Sequence, residues 1–126
     1  MFGSLADLAR VILALPRIEL GRRTYGPAPL LARLRSQGRR RRLLDGSERS
    51  RLRRVISSVD AHMPDGGNCY RRVLLEIALD PQAADEPVYM GLDAGGAPMS
   101  GHAWLGSDAG QDPVQARRSY DAIISL

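Results

Sequence analysis

Residues 64–80 read PDGGNCYRRVLLEIALD, and the fold of the chain turns on them. Pro64, Asp65, Gly66 and Gly67 are turn chemistry. Asn68 is a preferred N-cap residue, which predicts that Cys69 occupies the first position of a helix. Tyr70, Val73, Leu74, Ile77 and Ala78 then recur at the spacing of one helical face. The residues before this stretch pattern as helix and most of those after it as strand, so the expected class is α+β.

Upstream, Ser4 is expected to cap a first helix carrying Leu5, Leu8, Ile12 and Leu15, which Pro16 should end or kink. TYGPAP (24–29) reads as a turn. A second helix over about 30–44 carries Leu30, Leu31, Leu34, Leu43 and Leu44 and is weakened by Gly38. DGSERS reads as a break, after which Ser47 is expected to cap a third helix with Leu52, Val55, Ile56 and Val59 on its apolar face. Downstream, DPQAADEP reads as a loop. VYMGLD and HAWLGS read as strands joined by the turn AGGAPMSG, DAGQDP is another turn, and VQARRSYDAIISL closes as strand or short helix.

The chain has 126 residues, enough for one modest core, and that core must be aliphatic because aromatics are only 5%. A single cysteine makes no internal disulfide, so a stapled secreted scaffold is not indicated. Asp7 and Arg10 interrupt the apolar opening, which is too short to span a membrane and lacks the form of a signal peptide. A cytoplasmic protein is the expectation. The net charge of +4 hides a division. Residues 1–63 hold fourteen arginines against five carboxylates (+9), and residues 64–126 hold four against nine (−5). There is no lysine. A basic front and an acidic back suggest two functional layers.

A thiol at the first turn of a helix sits where unsatisfied N–H groups and the dipole favour a thiolate, the nucleophilic form. Gly66 and Gly67 beside it would let a substrate backbone approach. Against this, most free cysteines are small buried apolar residues, and position alone leaves the two readings about even. A nucleophile needs a base. His62, near the end of the third helix, is explained by a favourable dipole. His102 opens a strand, and alternation puts it on the same face as Trp104. Asp108 and Asp112, flanking the next turn, are the carboxylates that could orient an imidazole there.

Taken together, NCYRRVLLEIAL, GHAWL some thirty residues later and then QDP resemble the transglutaminase-like cysteine peptidases that mature lasso peptides. Cys69, Arg72, His102, Ala103 and Trp104 match the family pattern position by position. Asp112 best matches its aspartate because Pro113 and Tyr120 come after it. The connecting hairpin is about two residues short, so Asp108 stays a candidate. The match covers roughly residues 64–122, and the glycine-rich stretch 88–101 lacks the basic pattern family members often show there.

The resemblance implies a papain/transglutaminase-like core with the Cys-capped helix packed on a small antiparallel sheet over 64–126. Residues 1–63 would be an arginine-rich helical segment packed on that core, one compact domain overall. It implies a Cys69–His102–Asp112 triad that removes the leader from a ribosomally made precursor peptide, with Gly67 and Trp104 at the substrate and no metal or cofactor. A separate leader-recognition protein and an ATP-dependent lasso cyclase are the implied partners, the first because residues 1–63 do not read as a strand-rich recognition domain.

RLRSQGRRRRLL and SERSRLRRVI (33–44 and 47–56) are most simply solvated helix faces. They also suit docking of an acidic leader or its carrier. Nucleic acid is not expected as a partner, because only Tyr25 is available to stack a base, and a membrane is not expected either. Two other functions share the same residues: a non-catalytic basic helical adaptor binding peptide or nucleic acid, and a transglutaminase-type acyl transferase.

Overall fold

In a computed structural model that describes residues 2–93, 100–106 and 122–126, five helices precede three strands, an α+β order. The helices are α1 (Phe2–Thr24), α2 (Pro27–Arg39), α3 (Gly46–Ala61), α4 (Cys69–Leu79) and α5 (Pro81–Ala84). The strands are β1 (Val88–Asp93), β2 (Ser100–Leu105) and β3 (Ala122–Ser125). The backbone divides into two units, Met1–Asp85 and Glu86–Leu126. The division falls at Asp85 rather than at residue 63, so α4 sits with the helices that precede it.

Within the helical unit α4 is central and packs against α1, α2, α3 and α5. Its buried face is wider than periodicity suggests, taking in Val73, Leu74, Leu75, Ile77, Ala78 and Leu79. Leu74, Leu75 and Ile77 are wholly inaccessible, each stabilising the fold by on the order of 2 kcal/mol. α2 reaches α4 through Gly38. A Cβ there would lie 2.0 Å from the Ile77 carbonyl oxygen, so the residue that weakens α2 as an isolated helix is what permits the close approach.

Four expected boundaries are displaced, each for a local reason. α1 begins at Phe2, leaving Ser4 inside it, and it runs through Pro16. The proline deprives the Ile12 carbonyl of its donor, but Pro16 and Ile12 lie on the exposed side, where water serves instead. Buried Val11 and Ile18 hold the helix on both sides of that point. α2 starts earlier, with Pro27 at its first turn where no N–H is needed, and ends before Arg40, so Leu43 and Leu44 lie in the connection. Asp45, not Ser47, caps α3. Its carboxylate accepts the Glu48 N–H at 2.8 Å while Glu48 accepts the Asp45 N–H at 3.1 Å, a full capping box. The stretch after α4 holds the short α5, capped by Asp80, in place of the expected loop.

The apolar stripe read along α1 is not its buried row. Leu5, Leu8 and Ile12 are exposed, and the buried row is Asp7, Val11 and Ile18. Among the described residues no helix is long and apolar enough to cross a membrane.

The second unit is an antiparallel sheet of order β2-β1-β3. Tyr89 pairs with Trp104 and Gly91 with His102 across β1 and β2. Backbone bonds between Val88 and Leu126 (2.9 and 2.7 Å) and from the Gly106 N–H to the Pro87 carbonyl (2.9 Å) close one end of it. The closing segment is thus strand over Ala122–Ser125. β2 starts two residues earlier than expected, taking Ser100 and Gly101 from the turn read at 94–101; the rest of that turn and the turn read at 108–113 lie outside the described residues.

Gly38→Ala should lower stability by about 2–3 kcal/mol in a urea titration, the cost of forcing a methyl against backbone. Gly46→Ala, with nothing within 4 Å of its Cβ position, should be neutral or stabilise by up to about 1 kcal/mol. Equal behaviour of the two variants would contradict the close α2–α4 contact.

Candidate functional site

Asp60 lies on the buried stripe of α3, one helical step beyond Leu52 and Ile56, and its side chain is completely inaccessible. A lone carboxylate there would be prohibitively costly. It is satisfied four times over. The Asn68 backbone N–H donates to both oxygens (3.1 and 2.9 Å), Arg71 donates to Oδ1 at 2.6 Å, and Arg72 donates to Oδ2 at 3.1 Å. Arg71 is itself buried, and its remaining donors reach Glu19 of α1 (2.6 Å) and both oxygens of Asp65 (3.1 and 2.6 Å). One guanidinium therefore ties α1, α3, the 64–67 turn and α4 together, using the planar fork that suits Arg to such a task.

The cluster sits directly under the start of α4. Gly66 and Gly67 take φ values of +79° and +118°, which turn the chain over Asp60. A Cβ on Gly67 would lie 3.2 Å from the Asp60 carboxylate, so glycine is required there by conformation and by space. The Asn68 side chain then accepts the Arg71 N–H at 3.1 Å as the N-cap. Cys69 comes next, at the first helical position, half-buried and in no disulfide.

Charge in the cluster is held strongly. The Arg71 hydrogen bonds, with a further one from the Gly67 N–H, lower the Asp65 carboxyl from its ordinary 3.8 to about 2. Burial pushes Glu19 up, but its hydrogen bond from Arg71 and the charges of Arg22 and Arg71 outweigh this and leave it below the usual range. The hydrogen bond to Asp65 raises Arg71 further above its already high value.

His102 belongs to the sheet unit. Its ring stacks on Trp104 two residues on (5.6 Å, 24°), as alternation along the strand requires, and Trp104 stacks in turn on Tyr89 (6.0 Å, 27°). The residue opposite His102 on β1 is Gly91, which contributes no side chain. Trp104 is only 2% exposed, so its indole backs the imidazole and leaves little surface for a substrate. Asp112 and Asp108 lie outside the described residues. His62 caps the end of α3 with Nδ1 2.7 Å from the Ser58 carbonyl, in keeping with a structural role. Among the described residues no three His, Cys, Asp or Glu side chains converge to hold a metal ion.

No family model, curated protein or solved structure matches this chain. Functional meaning therefore rests on the chemistry of these residues.

The residues that position Cys69 are Asp60, Arg71, Asp65 and Glu19, none of which a search for nucleophile, base and acid selects. The sequence does carry a signal. Asp60 continues the Leu52–Ile56 stripe, and Arg71 stands three and four residues before Leu74 and Leu75. A charge on a buried stripe needs a partner of opposite sign.

Asp60→Ala should cost about 3–5 kcal/mol in denaturant unfolding, because it strands a buried guanidinium. Arg39→Ala, which breaks the exposed pair with Asp85, should change stability by no more than about 0.5 kcal/mol. Similar small losses in both would contradict the buried cluster. The cluster also sets an acid limit. Because Asp65 and Glu19 stay ionised in the folded protein where the unfolded chain has taken up protons, their contribution is complete above the ordinary carboxyl range. The Asp65 share is lost as pH falls from about 4 to about 2, and the Glu19 share as pH falls below its ordinary carboxyl range. Thermal melting across that range should fall steeply, and Asp65→Asn should flatten the dependence. An unchanged slope in the variant would count against it.

Proposed function

We propose that the protein is a transglutaminase-like cysteine peptidase that removes the leader from a ribosomally made lasso-peptide precursor. The observation that carries this reading is the placement of a partly open thiol at the first position of a helix whose start is anchored by buried charge. A nucleophile must be held in one geometry to attack efficiently, and the cluster beneath α4 supplies that rigidity.

The reaction runs as acyl transfer to water. Cys69 Sγ adds to the scissile carbonyl as His102 takes the thiol proton. The tetrahedral oxyanion is met by the amide of Cys69 at the positive end of α4. Collapse breaks the leader–core amide: the core leaves as its N-terminal amine, which receives the proton from His102, and the leader stays as a thioester on Cys69. Water, deprotonated by His102, then hydrolyses the thioester and regenerates the thiol. Asp112, or Asp108 in its place, holds the imidazole tautomer. Stacking on Trp104 restrains the ring on one side. The proposal requires Cys69 and His102 to meet, as they would in a papain/transglutaminase-like core, and that finer fold is part of what is proposed. The precursor, a separate leader-recognition protein and an ATP-dependent cyclase are the partners it entails.

Mass spectrometry of a precursor peptide incubated with this protein and a leader-recognition protein tests the reading. Cleavage at one junction is expected, falling by about a thousand-fold or more in Cys69→Ala and in His102→Ala. Asp112→Asn should be more damaging than Asp108→Asn. Cleavage by Cys69→Ala at the wild-type rate, or binding with no cleavage by either form, would overturn it.

A further inference from the structure

Two sets among the arginines of the helical unit differ in their surroundings. Arg49, Arg51 and Arg53 of α3 are spent on Asp80, Asp7 and Glu76, at 2.7, 2.8 and 3.2 Å, and join neighbouring helices. They are structural cations. A second group converges elsewhere. Two clefts, of about 370 and 280 Å³, lie side by side along α1, α2 and the 40–45 connection, sharing Arg10, Gln37 and Arg41 as walls. Arg40 and Arg42 border the first and Arg17 the second. Among the described residues no carboxylate borders either. Arg10 and Arg42 have carboxylate partners in Asp7 and Glu48, whereas Arg17, Arg40 and Arg41 have no ion-pair partner among the described residues.

The rest of the lining is aliphatic. Leu34, Leu52 and Leu79 form the floor, and Leu13 stands 75% exposed at the rim. Arginines after α2 are favoured by its dipole. That explains Arg40, but not the arrival of Arg17 from α1 at the same groove, nor an open leucine beside it. A row of unpaired cations over an aliphatic floor complements a ligand with carboxylates on one edge and aliphatic side chains on the other. The lining has no aromatic ring, so it offers bases nothing to stack on, and a phosphate backbone would leave the leucines unused.

We propose that these joined clefts are a docking groove for an acidic, amphipathic peptide segment. Its carboxylates pair with Arg17, Arg40 and Arg41 while its aliphatic side chains cover Leu13 and the floor. The groove does not depend on Cys69 being a nucleophile.

Fluorescence anisotropy with a fluorescein-labelled helical peptide, glutamates on one face and leucines on the other, is the test. Saturable binding is expected. Arg40→Glu combined with Arg41→Glu should weaken it about ten-fold or more, since two attractive contacts become repulsive. Leu13→Ser should weaken it less, a scrambled peptide of the same composition should bind poorly, and Cys69→Ala should bind as wild type. Arg23→Glu with Arg54→Glu, exposed positions outside the groove, should have little effect. All four arginines are exposed, and a melting curve of each variant confirms folding. Absence of saturation, equal loss in both arginine pairs, or tighter groove-dependent binding of a single-stranded DNA oligonucleotide would overturn the proposal.

Discussion

The placement of the start of α4 depends on one buried ionic contact, the 2.6 Å bond between Arg71 and the inaccessible carboxylate of Asp60. Neither charge could be buried alone, and a pair in the interior gains little over well-packed hydrocarbon. The pair's contribution is direction. An aliphatic contact would tolerate a range of positions for the start of α4. A guanidinium fork shared among Asp60, Asp65 and Glu19 restricts it to one. The two left-handed glycines, the Asn68 cap and the position of Cys69 all depend on this anchor.

The same economy governs the rest of the unit. Asp7 and Asp80 are also buried and also paired, to Arg51 and Arg49 of α3. Three of the fourteen arginines in the first half of the chain, Arg49, Arg51 and Arg53, thus tie α3 to its neighbours. Among the cations without an ion-pair partner, Arg17, Arg40 and Arg41 border the joined clefts, so part of the basic surface is concentrated there. In the sheet unit the corresponding restraint is aromatic: Tyr89, Trp104 and His102 stack in sequence beside a glycine on the neighbouring strand.

The helix start at Asn68, the strand at 88–93 and the second strand from His102 on are legible in the sequence because each rests on local rules: an N-cap preference, a helical period, an alternation. The α+β order comes from them. Periodicity misplaces the α1 stripe because that helix is apolar on several sides, and a repeat cannot tell which side is covered. Asp7 on the buried row is the clue, intelligible only once Arg51 stands opposite it. Pro16 fails as a stop signal because packing on both sides outweighs one missing hydrogen bond. Gly38 looks like a defect within α2 alone, and its purpose lies in the contact with Ile77 of α4. At the candidate site Cys69 and His102 are recognisable as chemical groups, but the buried charges that hold Cys69 in place link residues up to 52 positions apart. Such pairings emerge only in three dimensions.

The most direct test of the anchoring role of Asp60 is amide hydrogen exchange, followed by mass spectrometry on wild type and Asp60→Asn under native conditions. If the buried carboxylate fixes the start of α4, peptides spanning 64–72 should lose protection selectively, while those covering α2 exchange as before. Unchanged protection over 64–72, or an equal loss throughout the helical unit, would show that the position of Cys69 is set by something other than this ion pair.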